Sequence, residues 1–256
     1  MRTVAAAVAA LAGGVNARTG TILLTAFTAV LVFLFVHDLD PGARVWTTLL
    51  VAVLPPLSIA QARLLDDVAL PPRSSLYLQS AASLWALAAI TAIIAWTGGI
   101  TAAQLGLTAL PLVDVLVWTG GLTFTGVAMM LAAHRLGVRE SATLAGLLPR
   151  TAPERLAFVG LSLTAGFCEE LVFRGFLVPA ITTAVDASVV AALIAAAVFG
   201  LVHAYQGFAG ALRAAALGVL LAVPLLATGS ILPAILAHAA IDLVGGLWLG
   251  PRLVSE

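Results

Sequence analysis

The stretch AGFCEELVFRGF, residues 165–176, sets Glu169, Glu170 and Arg174 inside a run that is otherwise apolar over the length of a bilayer-crossing helix. Charge is most expensive there, so this segment decides both the solvent of the fold and the place to look for chemistry. Working outward, the chain is 256 residues long, 62% hydrophobic and only 9% charged, with a mean hydropathy of +1.12. That profile belongs to an all-α polytopic integral membrane protein rather than to a soluble domain. The 12 basic residues balance 12 acidic ones and all are Arg, so no basic patch argues for a nucleic-acid partner. Abundant Ala and missing Lys fit high-GC bacterial coding. A single Cys, Cys168, rules out an intrachain disulfide and reads as a small packing residue.

Apolar runs long enough to cross about 30 Å of hydrocarbon predict about eight transmembrane helices, near 19–36, 45–60, 76–97, 112–133, 156–180, 188–205, 212–228 and 231–249. The second is short and interrupted by Pro55 and Pro56, which should bend or end it. The first four form an N-terminal unit at 1–133, a cytoplasmic connection runs over 134–155, and 156–250 holds the catalytic core. An even number of spans with the N-terminus inside puts Arg2, Arg18, Arg63, Arg73, Arg135, Arg139, Arg150, Arg155, Arg213 and Arg252 on the inner side and only Arg44 outside. This positive-inside asymmetry predicts a multi-pass plasma-membrane protein with both termini cytoplasmic. The connection at 134–155 can lie along the membrane surface. Trp46, Trp96, Tyr77, Tyr205 and Trp248 fall where an aromatic belt would. The first 18 residues read as a short helix or loose arm, with a signal peptide as the alternative.

In the first four spans the only charge is Asp114, at an outer edge; the second half adds Glu169, Glu170 and Arg174 in span five, His203 in span six, and His238 with Asp242 in span eight. Each charge at a helix centre opposes insertion by about 2.5–3.5 kcal/mol, so four without partners cost on the order of 10 kcal/mol. They therefore need partners. At about 1.5 Å per residue, Glu169 lies about 20 Å from the inner end of its span, Asp242 about 10 Å, and His203 shallower. A water-accessible cavity opening to the cytoplasm would serve all three.

Residues four apart share a helical face while neighbours diverge by about 100°. Glu170 and Arg174 therefore pair as structural support. Glu169 points elsewhere, beside an acidic neighbour and in a low dielectric, the condition in which a carboxylate serves as a general base. Phe199 shares a face with His203, and His238 shares one with Asp242. His37 and His134 fall in loops and carry no hypothesis.

EELVFR at 169–174, FGLVH at 199–203 and HAAID at 238–242 resemble, in order, the EExxxR, FxxxH and HxxxN/D motifs of the CAAX protease and bacteriocin-processing family of intramembrane glutamic endopeptidases. The resemblance covers about residues 150–249 and includes GSILPAILAH. It implies that Glu169, helped by His203, activates the attacking water. It further implies that His238 with Asp242 polarises the scissile carbonyl, and that Glu170, Arg174 and Phe199 support the site. The implied partners are a peptide or membrane-protein substrate and the lipid bilayer, with no cofactor. Asp242 departs from the Asn of the prenyl-protein relatives, since an ionised carboxylate only accepts. Either it keeps a proton, or it accepts from His238 and fixes that ring's tautomer, the reading preferred here.

Rival readings remain. Glu169, His203, His238 and Asp242 make a plausible zinc set, although no HExxH is present. The serine-protease motif GxSG is approached only by GLSL at 160–163, and GxGD with YD, the aspartyl signature, is absent. A transporter would distribute broken helices over both halves, whereas here the deep charge is confined to one. A non-catalytic bacteriocin-immunity or scaffold protein would retain the motifs without activity.

Overall fold

The computed structural model describes residues 17–65, 71–138 and 142–250, and no strand occurs among them. The N-terminal arm at 1–16 lies outside the described residues, as do Arg2, Arg139, Arg252 and the side chains of Arg18 and Arg63. Helix α1 spans Ala17–Phe35. Helix α2 spans Pro41–Thr48, widens into a π-helical turn at Leu49–Val53 and continues over Leu54–Leu65. Helix α3 is Arg73–Thr97, α4 is Leu112–Arg135 and the short α5 is Ala142–Leu147. Helix α6 runs through Ala152–Glu169, a π-helical stretch Glu170–Leu177, and Val178–Val185. Helix α7 is Ser188–Val202, followed by a 3-10 turn at Ala204–Gln206 and α8 at Gly207–Thr228. Helix α9 is Leu232–Val244 with a π-helical end at Gly245–Leu249.

Each of the eight expected spans coincides with one of these helices. Six are long and apolar enough to cross a membrane, and two apolar helices, Thr21–Phe35 and Ser188–Val202, are shorter. The chain is an all-α, multi-pass membrane protein.

Of the two outcomes expected of the prolines, ending the helix does not occur. Pro55 and Pro56 do not end α2, which continues through them after the π-helical turn. A proline lacks the N–H that would bond the carbonyl four residues back, and its ring collides with that carbonyl. In the wider turn the Leu54 N–H bonds Leu49, five residues back, which shifts the register just where the prolines need it. The stretch Glu170–Leu177 stands in the same relation to Pro179.

The connection at 134–155 is not a plain loop either. It contains α5, and Thr151 begins α6 with a reciprocal capping box: Glu154 N–H donates to Thr151 Oγ1 at 3.4 Å, while Glu154 Oε2 accepts from Thr151 N–H at 3.0 Å. The signal TAPE at 151–154 has the S/T-x-x-E spacing of such a cap.

Side-chain bonds hold this connection down. Arg73 Nε donates to the Gly146 carbonyl at 2.7 Å, Arg73 Nη1 lies 3.6 Å from Glu154 Oε1, and the Tyr77 hydroxyl donates to the Leu147 carbonyl. We expect Arg73→Ala to loosen α5. Losing a charge-assisted hydrogen bond costs on the order of 1–2 kcal/mol, so exchange of the 144–148 amides should quicken about tenfold; unchanged exchange there would show that apolar packing alone holds the segment.

Helix α6 occupies the centre. Helices α3 and α9 lie along its first half and α7 along its second, α7 packs along α8, and α9 also lies against α4. Cys168, Leu171, Val172, Phe173, Phe176 and Leu177, all on α6, are buried in the main core. The 3-10 turn touches both the last part of α2 and α5, so the connections holding Arg73, Arg150 and Arg155 gather at one end of the bundle. At the other end, Ile231 N–H donates to the Gly106 carbonyl at 2.8 Å and Ser230 Oγ to the Thr108 carbonyl at 2.7 Å.

Candidate active site

The π-helical stretch of α6 is entirely buried from Glu170 to Leu177, and it opens on the two glutamates. Close helix packing brings the other elements to it. A Cβ on Gly166 would stand 2.7 Å from the Ile235 carbonyl, and one on Gly200 would stand 2.7 Å from the Ala211 carbonyl. Glycine at these points lets α9 approach α6, and α8 approach α7, at backbone distance.

Glu169, His203, His238 and Asp242 come together. Glu169 Oε2 lies 3.9 Å from His203 Nε2 and 3.8 Å from His238 Nε2, and Asp242 Oδ2 lies 3.8 Å from the same His238 nitrogen. None of these is a direct hydrogen bond. Glu169 Oε2 is buried without a hydrogen-bond partner. The side chains grade from Asp242, 37% exposed, through His203 at 15% and Glu169 at 13%, to Glu170 at 0%. The cluster is therefore approached past Asp242.

Glu170 and Arg174 pair as their spacing requires, with Nη1 2.8 Å from Oε1. Arg174 Nη2 also donates to the Gly218 carbonyl at 3.1 Å, and its Cζ stands 4.5 Å above the Phe199 ring. Phe199 is the common neighbour: its ring centroid is 4.5 Å from that of His203, 6.0 Å from His238 and 5.1 Å from Phe173. The ring thus offers its face to a guanidinium while walling both imidazoles.

One expected contact is replaced. His238 Nδ1 lies 2.7 Å from Glu170 Oε1, so Glu170, not Asp242, fixes this ring's tautomer. A carboxylate bonded to Arg174 accepts, hence His238 Nδ1 carries the hydrogen. Residues 170 and 238 are 68 apart in sequence, and the i,i+4 spacing of His238 and Asp242 hides the stronger long-range contact. His203 is fixed in the same manner by its own helix, Nδ1 donating to the Phe199 carbonyl at 2.7 Å and Nε2 turned toward Glu169.

Helix lengths bear on how the three groups meet. Helix α6, Ala152–Val185, has 34 residues, about 50 Å of rise, far more than the hydrocarbon thickness. Its start is therefore no measure of depth. Helix α7 has 15 residues, about 22 Å, too short to cross the layer. His203 at its end consequently meets a residue in the middle of α6.

Gly218, which sequence reading passed over, supplies a carbonyl to Arg174, and no local spacing announces it. Tyr205, read as an interfacial anchor, lies beside the cluster with its ring centroid 5.9 Å from that of His203. A cavity of about 400 Å³ lies away from the cluster, lined among others by Asp38, Asp40, Gln104 and Thr183.

Chemically, the cluster sets an unpartnered carboxylate oxygen opposite two imidazole nitrogens, with an ion pair behind. Among the described residues, no three His, Cys, Asp or Glu side chains are arranged to hold a metal ion. Residues 151–244 match the family model described as Type II CAAX prenyl endopeptidase Rce1-like. No curated relative and no solved structure matches the chain.

Proposed function

Because the chain belongs, through residues 151–244, to the CAAX protease family, we propose that it is a glutamic-type intramembrane endopeptidase whose Glu169 activates the attacking water. The observation that carries this reading is the buried, unpartnered Glu169 Oε2 held 3.9 and 3.8 Å from the Nε2 atoms of His203 and His238. Glu169 takes a proton from the water while His203, its Nδ1–H committed to Phe199, presents a lone pair to the same molecule. The hydroxide adds to the scissile carbonyl carbon and the carbonyl oxygen takes the electron pair. The proton on Glu169 then passes to the leaving amine as the C–N bond breaks.

His238 stabilises the developing oxyanion. Its Nδ1–H is used on Glu170, so donation from Nε2 requires a doubly protonated ring. The Glu170 carboxylate holds the Nδ1 side of that ring, and Arg174 holds Glu170 in place. Asp242, at the rim, orients the approach rather than donating. Asp242→Asn should accordingly keep wild-type activity or exceed it, because an amide there adds a donor near the carbonyl. A loss as deep as that of Asp242→Ala in the same peptide assay would assign the carboxylate an essential role.

In this reading the protein lies in the plasma membrane with both termini inside, and the site opens toward the cytoplasm. The substrate is a peptide segment of a membrane-associated protein. No metal takes part: activity should persist in chelator, and loss restored by zinc would favour a metal-held water instead. The deciding experiment is membrane proteomics on a strain lacking the protein, complemented either by wild type or by Glu169→Ala. Peptides produced only by the wild type name the substrate; identical profiles would favour a non-catalytic scaffold.

A further inference from the structure

An oxyanion needs hydrogens aimed at it in advance, and most of those around Glu169 are already committed. His203 Nδ1 bonds the Phe199 carbonyl, His238 Nδ1 bonds Glu170, and Arg174 is spent on Glu170 and Gly218. Ionised Asp242 has none to give. Tyr205 differs. Gln206 Nε2 donates to its phenolic oxygen at 3.1 Å, which leaves the hydroxyl's own hydrogen unspent on any described residue.

The phenol is also well placed. Tyr205 sits in the 3-10 turn two residues after His203, with the two rings inclined at 32° and their centroids 5.9 Å apart. It is half-buried, and the ring it lies beside, His203, faces Glu169 through Nε2 at 3.9 Å. The turn is braced internally by the Gln206 N–H to His203 carbonyl bond at 2.9 Å and externally by the last part of α2. A side chain carried on so short and braced a turn is pre-organised. A membrane-interface anchor has no need of these features.

We infer that the Tyr205 hydroxyl is a second catalytic donor, hydrogen-bonding the carbonyl oxygen of the scissile peptide beside His238. This inference rests on the endopeptidase reading. As hydroxide adds to the carbonyl carbon, the C=O π pair moves to oxygen, and the phenolic O–H shares its hydrogen without transferring it. When the C–N bond breaks, the pair returns and the phenol is unchanged.

The test uses the full chain in bilayer nanodiscs with a quenched fluorogenic peptide, selected from a mixed-sequence library as one the wild-type protein cleaves. Tyr205→Phe should lower kcat about 100-fold, with KM within about twofold, as the loss of one oxyanion donor does. Placing p-aminophenylalanine at 205 retains a donor at the para position and should recover about tenfold or more, whereas p-methylphenylalanine, of equal size, should not. This isosteric pair decides the matter even where Tyr205→Phe fails to fold. Equal rates for the pair, or a loss that appears in KM, would overturn the assignment. Glu169→Gln is run alongside. If it still cleaves, the endopeptidase mechanism itself falls; if it is inactive while the pair is equal, only the role of Tyr205 falls.

Discussion

Glu169→Gln should abolish peptide hydrolysis and leave the protein folded. The substitution keeps the volume and one acceptor oxygen but removes the basic carboxylate. Loss of a positioned general base typically costs 10²–10⁴-fold in rate, and in the proposed mechanism the same side chain also returns the proton to the leaving amine, so the fall should reach the upper part of that range. The fold has little to lose. Glu169 Oε2 has no hydrogen-bond partner, and the side chain is 13% exposed beside the polar rim. The neighbouring carboxylates of Glu170 and Asp242 would even be relieved of a like charge by its neutralisation. Helical circular dichroism and the detergent melting point should therefore match the wild type within about 1 kcal/mol. Hydrolysis at a rate comparable to wild type would falsify the mechanism, while a collapsed melting transition would mean that Glu169 is structural.

Span positions, and the shared faces within each motif, were legible in the sequence because both rest on local rules, whereas a meeting of the three helices was expected only from the cost of unpartnered charge and from the family resemblance. Apolar length finds a span, and four-residue spacing finds a shared face. So EELVFR already paired Glu170 with Arg174, and FGLVH already stacked Phe199 under His203. Contacts between helices obey no such rule. Nothing in HAAID announces that His238 turns its Nδ1 to Glu170 rather than leaving its tautomer to Asp242, because that choice depends on how closely Gly166 lets α9 approach. That Pro55 and Pro56 do not end the helix was hidden for a related reason: they would break a regular α-helix, and the wider turn at Leu49–Val53 spares it. Length along a helix is a poor guide to depth here because α6, at 34 residues, is longer than the hydrocarbon thickness and α7, at 15, is shorter.

Arg174→Ala should be the most destabilising single change at the site. Glu170 and Arg174 have side chains 0% and 2% exposed, so the truncation leaves a carboxylate in a low dielectric with only His238 beside it. It also strips the Gly218 carbonyl of its donor and the Phe199 ring of its cation. Breaking a buried pair by removing one partner costs about 3–5 kcal/mol, a large share of the stability of an ordinary domain. Lower expression and a depressed melting point in detergent are expected together with lost activity, since Glu170 also holds His238. Arg174→Lys keeps the charge but not the fork that reaches Glu170 and Gly218 at once, and should fall between wild type and Ala. The double change Glu170→Gln with Arg174→Met removes both charges and should recover part of the stability lost by Arg174→Ala, without recovering catalysis. Stability would then follow the neutralised charge, while activity would follow the carboxylate that holds His238. Wild-type melting in Arg174→Ala would mean that the pair bears no load; recovery of activity in the double variant would mean that His238 is positioned without Glu170.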